Sequence, residues 1–194
     1  MEPIPVWIAR PHAPKILHEK RTKHDFHFDF TAIEDDFSTI VSQWKNIQQP
    51  WAAVLHRFFA VAGPRDLWVN EEFLFLAQAV ESLHRARSGQ TTQVDVGKAA
   101  KEAYLNAPSG LQDLLGNRGS FGKTFRKSRN YWTHYGEPSP ETDEQVLSGG
   151  DLMDFNEKLR WIVEAAILEE IGVPDSNVAR VWSDQWKMRT IKYQ

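Results

Sequence analysis

The spacing of hydrophobic positions changes near Asp36. Before it, Phe26, Phe28 and Phe30 recur at a period of two with His27 and Asp29 between them, the alternation of a short strand with one apolar face. A strand of this kind needs a partner for its backbone groups, and residues 6–8 are the candidate within the chain. After Asp36 the period is helical: Phe37, Ile40, Val41, Trp44 and Ile47 form one stripe, which Pro50 stops. A second helix over 51–61 carries Trp51, Val54, Leu55, Phe58 and Phe59 and is closed by Gly63-Pro64. In the third, Asn70 is placed as the N-cap, Glu71 and Glu72 suit the first turn, and Phe73, Leu76, Ala77, Val80 and Leu83 form the buried stripe before Arg85, Arg87 and Gly89.

Residues 94–117 are less regular and predict a helix over 99–105 and a shorter piece over 111–115, broken at Ser109-Gly110 and at Gly116. The next helix is predicted over 120–135, with Gly136 and Pro138 beyond its end. An acidic loop rich in Pro, Ser and Gly leads to the longest amphipathic pattern, Leu152, Phe155, Leu159, Ile162, Val163, Ala166 and Ile167, which stops before Gly172 and Pro174. A final helix is expected from Ser176, presenting Val178, Val181, Trp182 and Trp186. The pattern predicts a mainly α chain: a short β or extended lead segment over 1–31, then a helical domain over 32–194.

Composition narrows the functional classes. With 194 residues, 41% of them hydrophobic, the chain is long and apolar enough to build one sizeable core. No run of 18 or more apolar residues is present and the N-terminus lacks the basic-then-apolar order of a signal peptide, so no membrane partner and a cytoplasmic location are expected. The absence of cysteine removes disulfides, thiol nucleophiles and thiolate zinc sites. A net charge of -3 makes no case for nucleic acid over the whole protein, but residues 118–135 hold Arg118, Lys123, Arg126, Lys127 and Arg129 and no acid.

Within that basic helix Arg129, Asn130 and His134 carry the candidate chemistry. Cleaving RNA without a metal requires a group that moves the 2′-hydroxyl proton and a cation for the charge developing on the phosphate; His and Arg supply both. Helical spacing puts Arg126, Asn130 and His134 on one stripe and Arg129 about 140° around from His134. Either the long Arg129 side chain reaches round or the site is composed from two copies of the helix, and Arg126 competes for the phosphate-binding role. His24 and His27 form an H-x-x-H pair, but on a strand they point to opposite faces, which argues against a metal site, and none is expected elsewhere. Gly116, Gly119 and Gly122 flank basic residues without completing a phosphate loop.

The run Arg129-Asn130-Tyr131-Trp132-Thr133-His134-Tyr135 resembles the signature of the HEPN superfamily, and its order relative to the helices around Trp44, Glu81 and 159–172 resembles the Apea-like branch. The resemblance implies an antiparallel helical bundle that dimerises so that two motif helices face each other and form one metal-independent RNase site, as in toxins and phage-defence effectors. It gives Arg129 and His134 catalytic roles and Asn130 an orienting one. Glu81 is implied as the acidic group that holds Arg129, and Tyr135 as supporting, while Lys123, Arg126 and Lys127 are expected to guide the RNA. Its implied partners are RNA, a second copy, and a regulatory domain or antitoxin; no cofactor is implied. Members carry a larger N-terminal sensor domain, against which the lead segment here reads as a remnant. The rival reading is a catalytically silent module of the same family that binds RNA, a nucleotide or a protein.

Overall fold

The structure, a computed structural model, describes residues 33–62, 67–90, 94–136 and 138–174. The predicted strand with Phe26, Phe28 and Phe30, the His24 and His27 pair, the Gly63-Pro64 stop and the final helix with Trp182 and Trp186 lie outside the described residues. Among the described residues the chain is all-helical: α1 (Phe37–Ile47), α2 (Ala52–Ala62), α3 (Val69–Ser88), α4 (Val96–Leu105), α5 (Ser109–Leu115), α6 (Arg118–His134) and α7 (Gly149–Glu170).

α3 is the spine, packed against α2, α4, α6 and α7. Its stripe explains this position, since Phe73, Leu76, Ala77, Val80 and Leu83 are all buried and meet neighbours on several sides. Phe73 lies edge-on to Phe125 of α6, with ring centroids 6.2 Å apart, and 6.4 Å from Phe155 of α7. Phe121 closes the cluster at 4.9 Å from Phe155 and 5.3 Å from Tyr104 of α4. Each fully buried Phe or Leu contributes about 2 kcal/mol, against about 1 kcal/mol or less for an exposed ion pair such as Arg87 with Glu169. The aromatic cluster therefore holds α3, α4, α6 and α7 together, and the surface pairs adjust their ends.

Capping differs from the sequence expectation at the starts of α3, α4 and α5. α3 begins at Val69, so Asn70 lies inside its first turn; the cap contact comes from Glu71, whose Oε2 accepts from the Trp68 backbone N–H at 3.1 Å. α4 begins three residues earlier than predicted because Asp95 caps it, Oδ1 accepting from Lys98 N–H at 3.0 Å. Ser109 and Gly110 open α5 instead of breaking the chain, since Pro108 ahead of them supplies the break. At the other end of the bundle, α7 closes as its glycine predicts: Gly172, at φ 84°, and Val173 donate back to Glu169 and Leu168.

α4 and α6 cross where Gly97 faces Gly122. A β-carbon on Gly122 would sit 2.6 Å from the Gly97 carbonyl oxygen, and one on Gly97 would sit 3.1 Å from that of Gly122. The neighbour is backbone and cannot swing away. Gly122→Ala is therefore expected to lose about 1–3 kcal/mol to overpacking, more than the roughly 1 kcal/mol that alanine gains in a helix. The check is a lower urea midpoint at unchanged slope; a variant more stable than the parent would show that the crossing has room.

Candidate active site

α6 buries a narrow face and leaves the rest to chemistry. Asn117 caps it, its Oδ1 accepting from Gly119 N–H at 2.7 Å and Ser120 N–H at 3.3 Å. Phe121, Phe125 and Ser128 are buried, with Trp132 half-buried below them. At 100° per residue, Arg129 falls about 40° from Phe125 and His134 about 180° from it. The two thus emerge at different depths: Arg129 beside the core, His134 on the open side and exposed.

Depth decides what each residue meets. Arg129 Nε donates to Glu81 Oε1 at 3.0 Å, and Glu81, on α3, is only 7% exposed. This is a charge-assisted bond in a half-buried setting, which fixes the guanidinium far better than a surface pair would. The resemblance assigned Glu81 to this contact, and the structure brings the two side chains together.

Arg129, Asn130 and His134 line one cleft of about 420 Å³, with Lys127, Tyr131, Gly136 and Pro138. Arg129 and His134 thus border one cleft within a single copy, with Arg129 Nε turned to Glu81. Arg126 does not line this cleft. It lies in a neighbouring one of about 320 Å³ with Glu81, Arg85, Arg129 and Asn130. Of the two arginines that compete in the sequence, Arg129 and not Arg126 borders the cleft of His134.

Two further residues behave differently from their expected roles. Lys127 is half-buried and ion-paired with Asp143, so its charge is already engaged within the protein. The Lys127 ammonium beside Asp143 and a backbone hydrogen bond at Gln145 hold the Asp143 carboxyl below the usual aspartate range. Fully buried Ser128 adds a second tie, accepting from Leu147 N–H at 2.9 Å and donating to the Gln145 carbonyl at 3.3 Å, and Trp132 Nε1 donates to the Leu147 carbonyl at 2.9 Å. These bonds clamp the loop before α7 onto the motif helix.

Tyr135 is the other. It is the left-handed residue that ends α6, at φ 49°, where the sequence placed Gly136. The conformation is costly for a side chain with a β-carbon. It is supported by ring contacts with Tyr131 and Trp132 at 6.1 and 6.0 Å, and by Asn70 Nδ2, which donates to the Tyr135 hydroxyl at 3.4 Å. The residue remains 66% exposed.

Sequence reasoning missed Asp95, Lys98 and Lys101, which α4 brings alongside α6. His84, to which its spacing in the sequence gives no ligand role, is buried on α3, with Nδ1 2.8 Å from Glu102 Oε2 and Nε2 3.3 Å from Gln90 Oε1. The i, i+3 spacing of Lys98 and Lys101 gave the one available signal for the first group. Among the described residues no three His, Asp or Glu side chains converge as a metal cage would, and no helix is long and apolar enough to cross a membrane.

Comparison with known proteins gives no match among curated proteins and none among solved structures. The family profile described as Apea-like HEPN matches residues 74–177, more than half of the chain, from the second turn of α3 through the Arg129–His134 segment to the end of α7. On this match, with the helical bundle and the motif helix at its centre, the chain belongs to the Apea-like HEPN family.

Proposed function

We propose that this protein is a metal-independent endoribonuclease that cleaves RNA by attack of a ribose 2′-hydroxyl on the adjacent phosphate. One observation carries the reading: Arg129, clamped by Glu81, and His134, exposed, line the same cleft with Asn130 between them in sequence. His134 takes the 2′-hydroxyl proton as the 2′-oxygen bonds to phosphorus. Arg129 holds the phosphate oxygens through its remaining N–H groups, Asn130 orients the linkage, and the 5′-oxygen leaves with a proton, giving a 2′,3′-cyclic phosphate and a 5′-hydroxyl.

A two-fold dimer completes the site in this reading. Two motif helices face each other, and the partner's His134 supplies the proton to the leaving oxygen, which one histidine cannot do in the same step. Membership of the Apea-like HEPN family supports the further reading that the enzyme is a toxin or anti-phage effector acting in the cytoplasm. The test is incubation of the purified protein with RNA in excess chelator: cleavage to 2′,3′-cyclic phosphate ends is expected, and activity that appears only on adding metal would overturn the proposal.

A further inference from the structure

We propose that the groove between α4 and α6 holds the phosphate backbone of a single-stranded RNA whose continuation enters the His134 cleft. The inference rests on the endoribonuclease reading for the identity of the strand, and on the groove's own chemistry for the binding. The groove has a volume of about 690 Å³, and the Gly97–Gly122 crossing lets its two walls approach closely. Lys98 and Lys101 of α4 face it from one side, Arg118, Lys123 and Arg126 of α6 from the other.

The groove gathers in one place cations that are mostly without a carboxylate partner among the described residues. Lys127, Arg87, Arg129 and Arg160 each have a carboxylate partner. Among the described residues Lys101, Arg118, Lys123 and Arg126 have none within ion-pair distance, and Lys98 has only half-buried Glu102 at 3.7 Å, which also meets His84. The carboxylate of Asp95, the one acid on the groove wall, is turned to the cap of α4. Five cations held this close repel one another in the folded state, and a polyanion laid between them removes that repulsion.

The lining also decides which polyanion. No apolar side chain faces the groove, so an acidic peptide would find charge but no pocket for an anchoring residue, whereas a phosphate backbone needs charge alone. The groove also leads to the chemistry. It shares Asp95 and Arg126 with the 320 Å³ cleft, which in turn shares Arg129 and Asn130 with the cleft of His134. From Gly119 to His134 the path along α6 is about 22 Å, or roughly six nucleotides at the spacing of a stacked strand. The lining offers charge to the phosphates, which are the same at every nucleotide, so this interaction is indifferent to base sequence.

The experiment measures binding separately from cleavage. In full-length His134→Ala protein, the affinity for a fluorescein-labelled twelve-nucleotide uridine RNA is followed by anisotropy across a salt series. Adding Lys101→Ala and Lys123→Ala together is expected to weaken binding about tenfold at low salt and to lower the log–log salt slope by about 1.4, near 0.7 for each phosphate no longer neutralised. Lys45→Ala, an exposed change on α1, is expected to leave both unchanged. Thermal midpoints measured alongside identify any loss due to misfolding, and single variants of the two exposed lysines then replace the pair. An unchanged slope in the double variant overturns the groove assignment, even if the wild-type protein cleaves RNA. A reduced slope without any cleavage by wild type sustains the groove and sinks the endoribonuclease reading instead. Polyglutamate of equal charge binding as tightly as the RNA, with the same loss in the double variant, would assign the groove to acidic protein and overturn the RNA assignment.

Discussion

Replacing His134 with alanine is expected to lower RNA cleavage by about a thousandfold, the usual scale for loss of a general acid or base, while leaving fold and RNA affinity nearly intact. The side chain is exposed and makes no hydrogen bond with the described residues, so its removal leaves no cavity and orphans no partner among them. Thermal unfolding should shift by no more than about 0.5 kcal/mol equivalent, the ordinary range for a surface change. Affinity depends on the cations along α6, which this variant retains. Kinetically the loss falls on kcat, because the histidine acts in the transition state and adds little to ground-state binding. Added imidazole should restore part of the rate, a response that a purely structural role would not give. Cleavage within about tenfold of wild type in this variant would remove His134 from the mechanism and leave the chain as an RNA-binding member of its family.

The helices were readable because each is written locally, in a stripe and its stops. The apolar positions of α3 and α7 repeat at helical spacing and the structure buries them. The cap errors arose where two residues could each satisfy the rule, as at the start of α3, where Asn70 has the better side chain but Glu71 supplies the hydrogen bond. Exposure of Phe37 and Val41 on α1, at 46% and 37%, shows the limit of a stripe: periodicity defines a face without saying what covers it.

The candidate site was legible only in part for the same reason. Residue types and spacing named Asn130 and His134 with Arg126 as the nearer arginine, the family resemblance favoured Arg129, and the angle between Arg129 and His134 followed from helix geometry. Which neighbours each side chain meets depends on residues far apart in sequence. Lys127 with Asp143 spans sixteen residues, and Arg129 with Glu81 spans forty-eight. No helical periodicity reports such pairings. Lys127 therefore looked like a free cation until the loop carrying Asp143 was placed against it, and the lysines of α4 gained a role only when the Gly97–Gly122 crossing set them beside α6.

Arg129→Ala is expected to destabilise the fold as well as the reaction, by about 3 kcal/mol, because it leaves the carboxylate of Glu81 buried without its partner. In a chain of this size that corresponds to a fall in melting temperature of roughly 10 °C. The catalytic loss in this variant thus mixes two causes, and a second substitution separates them. Glu81→Gln/Arg129→Ala carries no buried charge and should recover most of the lost stability while remaining inactive, with a coupling energy of about 2 kcal/mol between the two sites. Glu81→Gln alone keeps the Arg129 charge but loosens its aim. In the proposed reaction Glu81 acts through Arg129, as a positioning residue, so kcat should fall about tenfold while KM changes little, since backbone binding depends on other cations. Unfolding curves and single-turnover rates on the three variants check the scheme. Equal stability of Arg129→Ala and wild type would show that Glu81 is relieved by water once its partner is gone, and an unchanged kcat in Glu81→Gln would show that Arg129 needs no anchor to act.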